Sequence, residues 1–152
     1  MTAAELDERR EALYDAPCYV IDFLPRQVPA EGGGRYFTVE RTFRTRPRLD
    51  GLYERFARVV LCLLCYYDIA ASRLPEDEWI PEPSPETLSG LVTGCAEENG
   101  RYLTLLFPAE DVLLTLDGGD LYMTLYNPPA EFLETVAALA SAEGLFVRRG
   151  AE

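Results

Sequence analysis

Val112-Leu-Leu-Thr-Leu-Asp-Gly-Gly-Asp-Leu-Tyr-Met-Thr-Leu-Tyr126 alternates by two on either side of Gly118-Gly119. That pattern predicts two strands joined by a two-residue loop. With the glycines as the loop, Leu116 pairs with Leu121, Leu114 with Met123 and Val112 with Leu125. All six apolar side chains then share one face. The opposite face carries Thr115 with Tyr122, Leu113 with Thr124 and Asp111 with Tyr126.

Downstream of the hairpin, Asn127-Pro128 opens a helix with Phe132, Leu133, Val136, Leu139 and Ala140 inward. Gly144 ends it, and Leu145 to Val147 reads as a last short strand. Upstream, Tyr102 to Phe107 is a strand. Ser84-Pro85 is an N-cap with proline at the first helical position, opening a helix to about Glu98 that Asn99-Gly100 stops. The acidic, proline-rich stretch from Pro75 to Pro85 reads as a surface loop. Before it, Leu49 to about Ala70 reads as one long helix with Leu52, Tyr53, Phe56, Val59, Val60, Leu63 and Tyr67 in a continuous stripe. Beyond Val59 that helix is apolar all round, which predicts its second half to be the most buried element.

Nearer the N-terminus, Cys18 to Leu24 alternates as a strand with Tyr19, Ile21 and Phe23 on one face. Arg35 to Arg44 reads as the next strand, with Phe37, Val39 and Phe43 on one side. The turn containing Gly32-Gly33-Gly34 would join these two into a second hairpin. Thr2-Ala-Ala-Glu5 is a capping box opening a helix to about Tyr14. The expected fold is α+β, in a single domain over residues 1–152. Its antiparallel sheet is built from two β-hairpins plus short strands, packed against a long central helix and a C-terminal helix.

Composition excludes more than it assigns. At 152 residues and 48% apolar, the chain can bury about 70% of its unfolded surface. No uncharged run is longer than ten residues, whereas a membrane helix needs roughly 20. Met1 to Arg10 has no apolar segment of a secretory signal, so a cytoplasmic setting with reduced thiols is expected. The chain has no histidine and no lysine, and all 14 basic residues are arginine. That usage fits a GC-rich, bacterial coding sequence. Histidine triads, lysine Schiff bases and the lysine-dependent phosphate loop are excluded. No cofactor is called for.

The net charge of -12 is unevenly spread. From Arg35 to Arg58 seven arginines face only Glu40, Asp50 and Glu54, while the rest of the chain is strongly acidic. A surface of that sign repels phosphate backbones and anionic lipid, so neither nucleic acid nor membrane is an expected partner. Arg41, Arg44, Arg46 and Arg48, with Arg55 and Arg58 nearby, are candidates for an anion pocket; the plainer reading pairs them with the chain's own acids. Arg41 shares the face of Phe37, Val39 and Phe43. If that face is the core, it needs a buried carboxylate, with Asp22 and Glu54 the candidates.

Tyr102, Tyr122 and Tyr126, on the polar side of the hairpin, and Trp79, alone in the acidic loop, are candidates for docking a partner. Cys62-Leu-Leu-Cys65 has redox spacing, but its place among leucines and valines predicts two small core residues. Asp117 and Asp120 suit a cation and, equally, an ordinary turn. Gly118-Gly119-Asp120 before an aromatic strand superficially resembles the Gly-Gly-Asp-Glu-Phe hairpin of diguanylate cyclases. Leu121 stands where that motif has Glu, and the family's lysine is missing, so a tight turn needing positive φ accounts for the glycines.

The expected function is a small non-catalytic binding protein that engages a protein partner or a second copy of itself. The alternative is an enzyme using carboxylate or cysteine chemistry on an anionic metabolite held by the arginines. A third reading is an acidic decoy for a basic protein.

Overall fold

The computed structural model describes residues 1–29, 31–45, 51–74, 76–97 and 101–150, without the side chains of residues 44, 45, 96 and 97. Among the described residues, five helices and seven strands follow one another as α1 (Ala3–Leu13), β1 (Cys18–Asp22), α2 (Arg35–Thr45), α3 (Leu52–Leu64), β2 (Ala70–Leu74), β3 (Trp79–Ile80), α4 (Pro85–Glu97), β4 (Tyr102–Phe107), β5 (Val112–Asp117), β6 (Tyr122–Tyr126), α5 (Ala130–Ala142) and β7 (Phe146–Arg149). The strands form one sheet in the order β3-β2-β4-β5-β6-β1-β7, antiparallel at every pairing. The fold is α+β.

The hairpin β5-β6 exists, with a different turn. Leu116 lies opposite Met123 and Leu114 opposite Leu125, a slip of two residues from the two-residue-loop register. A turn closed by the Asp120 N–H on the Asp117 carbonyl (3.0 Å) takes Asp120 and Leu121 out of the ladder. Gly118 and Gly119 are not at positive φ, so the primed turn that would have required glycine is not formed. A slip of two preserves side-chain parity. Leu114, Leu116, Leu121, Met123 and Leu125 therefore still face the main core, with Leu103, Leu105 and Phe107 of β4 beside them.

α3, α4 and α5 cover that face. α3 buries Leu52, Tyr53, Phe56, Val59, Val60 and Leu63 along its stripe, and α5 buries Phe132, Val136 and Ala140. Phe132 is the hub of an aromatic group, stacked on Tyr67 at 4.5 Å and edge-on to Phe107 at 5.0 Å. Ser84 caps α4 as expected, its Oγ accepting from the Thr87 N–H at 3.1 Å. Gly144 ends α5 at φ +74, with the Leu145 N–H returning to the Ala140 carbonyl.

The other face of the sheet holds a smaller apolar cluster, Ala70, Leu106 and Leu113 under Leu6 and Leu13 of α1. The Thr2/Glu5 capping box starts α1. The backbone and hydroxyl of Thr2 hold the Glu5 carboxyl below its ordinary value.

Three expectations are corrected. Residues 35–45 form a helix, so β1 has no hairpin partner there and pairs instead with β6 and β7. The helix expected from Leu49 to Ala70 is α3 alone over the described residues, no longer than α4 or α5; Leu49 lies outside them. Ala70 begins β2, whose Ala70, Ala71 and Ser72 are buried between the two helical layers. Small side chains there let helices approach both faces. The acidic loop contains β3, which pairs with β2.

Candidate interaction surface

Val28, Phe37 and Val39, on α2 and the loop before it, group three of the exposed large apolar side chains of the described structure. Gly33 and Gly34, at φ +64 and +80, turn the chain into α2, a conformation side chains other than glycine rarely adopt. The Thr38 N–H and hydroxyl both bond the Gly34 carbonyl and fix the first turn. α2 is held to the body by Tyr36 and Phe43, seven residues apart on one side of the helix. Both meet Phe23, Tyr36 stacked at 6.5 Å and Phe43 edge-on at 5.2 Å. Burial, then the nearby carboxylates of Glu40, Asp22 and Asp120, pushes the Tyr36 hydroxyl up to about 12.

The remaining apolar side chains of α2 point outward. Phe37 is 67% exposed and Val39 46%, on a helix that also carries Arg35 and Arg41 at its surface. Between α2 and the preceding loop lies an open cavity of about 530 Å³, lined by Val28, Pro29, Arg35, Tyr36 and Phe37 among others.

Arg41 is exposed on α2 rather than set in the core, and of the two carboxylates expected to meet it Asp22 is engaged elsewhere. Asp22 instead accepts from Arg148 of β7 at 3.0 Å. Arg46 and Arg48 lie outside the described residues, as does the side chain of Arg44. Arg58 pairs with Glu143 at the end of α5. Of the four anion-pocket candidates only Arg41 has a described side chain, so that reading falls mostly outside the described residues.

The aromatic candidates are engaged within the chain. Trp79 donates its indole N–H to Asp7 of α1 at 2.7 Å and lies under the Arg10 guanidinium, 5.1 Å from the ring centre. Tyr102 shares a 3.0 Å hydroxyl hydrogen bond with Tyr14, which also packs edge-on against Tyr126 at 5.5 Å. Burial raises the hydroxyls of Tyr14, Tyr122 and Tyr126 above their ordinary value. Tyr122 is half-buried near Asp120.

Arg10 is a residue that sequence reasoning passed over. Only 7% exposed, it sits between Leu6 and Leu13 on the buried stripe of α1 and reaches Asp77 at 3.1 Å and Asp7 at 3.2 Å. A cation four residues after one buried leucine and three before the next was the signal available. Cys62 and Cys65 are also not where expected: both are exposed at the end of α3, while Cys95 is buried.

Among the described residues no group of three or more Cys, Asp or Glu is placed to hold a metal, and no helix is long and apolar enough to cross a membrane. No family model matches the chain, and comparisons with curated proteins and with solved structures find no match.

Proposed function

We propose that this is a small, non-catalytic binding protein that presents α2 and the loop before it to an acidic, apolar-bearing segment of a partner protein. The observation that carries the reading is Phe37, two-thirds exposed on a helix lined with arginine in a chain that is elsewhere acidic. Monomeric proteins seldom leave large apolar side chains clustered in the open without use. The arginines select an acidic counterpart at this one face of a chain that is acidic elsewhere. Burying the exposed part of the Phe37 ring alone is worth about 3 kcal/mol at the usual 25 cal/mol/Å². The setting we propose is the cytoplasm, where the four thiols stay reduced.

A photo-crosslinking residue placed at position 37, in the native host, tests this against the same residue at Glu134, exposed on α5. The expected result is an adduct from position 37 alone, mapping by mass spectrometry to an acidic segment, and lost in Arg41→Glu. Equal labelling from both positions, or adducts on neutral or basic segments, overturns the proposal.

A further inference from the structure

We propose that Cys62 and Cys65 form a two-thiolate site for a soft monovalent cation of the copper(I) class. The two side chains stand three residues apart on the outer side of the last turn of α3. That turn is tightened by the Cys65 N–H, which donates to the Cys62 carbonyl at 3.1 Å. A turn closed between residues i and i+3 superimposes their side chains, with Cβ atoms about 5–6 Å apart. The Cys65 thiol bends further back, reaching the Leu61 carbonyl at 3.7 Å, towards the turn that carries Cys62.

The surroundings select the kind of cation. Leu61 and Leu64 are half-buried and Tyr66 is 68% exposed beside the pair, a largely apolar rim that offers hard cations no carboxylate cluster. No third Cys, Asp or Glu joins the two thiols among the described residues, so this chain alone does not supply the four ligands of a structural zinc site. Copper(I) is satisfied by soft thiolates. The position at the helix end matters as well. Catalytic thiol pairs sit at a helix N-terminus, where the dipole lowers the thiol pKa, whereas this pair closes the C-terminal turn of α3. Binding forms two sulfur–metal bonds and releases both thiol protons to solvent. Of the other cysteines, Cys95 is buried in α4 with its thiol on the Leu91 carbonyl, and Cys18 is half-buried against Gly150.

The test uses the full chain, reduced and desalted without oxygen, titrated with copper(I) in competition with bicinchoninate. The expected result is one ion per chain by native mass spectrometry and thiolate-to-metal absorbance in the ultraviolet. Cys62→Ser and Cys65→Ser should each lower affinity at least about a hundredfold, because a chelate cut to one donor loses its effective-concentration advantage. Cys18→Ser should leave it unchanged. Both serine variants keep the wild-type urea midpoint, since the sites are exposed. Retention of the ion by the Cys62→Ser/Cys65→Ser double variant overturns the proposal. So does failure of the wild type to compete with bicinchoninate, or one ion shared between two chains.

Discussion

Replacing Arg10 by methionine isolates the clasp that holds α1 on the sheet. Methionine keeps the length and apolar stem of the side chain and removes the guanidinium. Lost with it are the hydrogen bonds to Asp77 (3.1 Å) and Asp7 (3.2 Å) and the stacking over Trp79. Removing one partner of a fully buried ion pair costs about 3–5 kcal/mol. Here the carboxylates of Asp7 and Asp77 are 49% and 44% exposed, so water replaces part of what they lose. The contact at 3.7 Å with the largely exposed Glu11 counts for nothing. The expected cost is about 2 kcal/mol, a fall in Tm of roughly 4–8 °C for a domain of this size. Urea unfolding should be followed both by far-ultraviolet circular dichroism and by fluorescence of Trp79, the only tryptophan and itself part of the clasp. Asp77 lies at φ +53, which asparagine tolerates, so Asp77→Asn completes a double-mutant cycle without new strain. The coupling energy between the two changes should exceed 0.5 kcal/mol, the lower bound for contacting residues. An Arg10→Met protein within about 0.5 kcal/mol of wild type, or additive single changes, would refute the argument that this cation anchors the helix.

Phe132→Ala should cost about 3–5 kcal/mol in urea unfolding, because Tyr67 and Phe107 both lose a ring partner in a site with no access to water. Phe37→Ser should stay within about 0.5 kcal/mol of wild type, whereas Phe43→Ala should loosen α2, seen as faster amide exchange over residues 35–45. Glu110 Oε1 is buried without a hydrogen-bond partner among the described residues, and desolvation raises its carboxyl above 4.5. A carboxyl raised on folding favours the native state least when ionised. Glu110→Gln should therefore stabilise the protein above the folded-state value, by less than about 1 kcal/mol because the residue is only partly buried. That gain should fade as pH falls through the raised folded-state value and be largely gone below 4.5, as thermal unfolding at pH 4 and pH 7 would record.

The elements read well from sequence were those in which one period ran without conflict. The alternation of Val112 to Tyr126 gave both strands and their inner face, although the glycines misdirected the turn. Asp117 captures the Gly119 N–H at 3.0 Å, and the Tyr53 hydroxyl bonds the Asp120 carbonyl; these contacts favour a wider loop that local preference did not announce. β2 was hidden because Ile69, Ala70 and Ala71 follow the apolar run of α3 after Asp68 alone, with no glycine or proline between. There the helix stops because the sheet needs a strand beside β4, which is a tertiary reason. The residues that would have carried function were less legible still. Trp79 and Tyr102, singled out as docking aromatics, are contacted by Asp7 and Arg10 of α1 and by Tyr14 just after it, contacts that no local pattern announced. Exposure is a property of the packed chain, and no local pattern encodes it.

The two places where the reading failed most completely share one physical character. Over residues 35–45 the alternation Phe37-Val39-Phe43 was interrupted by Arg41, an inconsistency that a strand could resolve only with a buried ion pair. The helix resolves it by a different division, Tyr36 and Phe43 inward and Phe37 and Arg41 outward, at the cost of leaving a phenylalanine in water. At Leu61 to Tyr66 an all-round apolar helix end was expected inside and is instead half open, with both thiols at the surface. Folding alone rewards neither arrangement, because each forgoes about 2 kcal/mol or more of apolar burial that the same composition allows. Sequences tend to break their own local rules where something other than stability is being selected. By that criterion the arginine-lined face of α2 and the dithiol turn of α3 are the two surfaces on which the activity of this protein is to be sought.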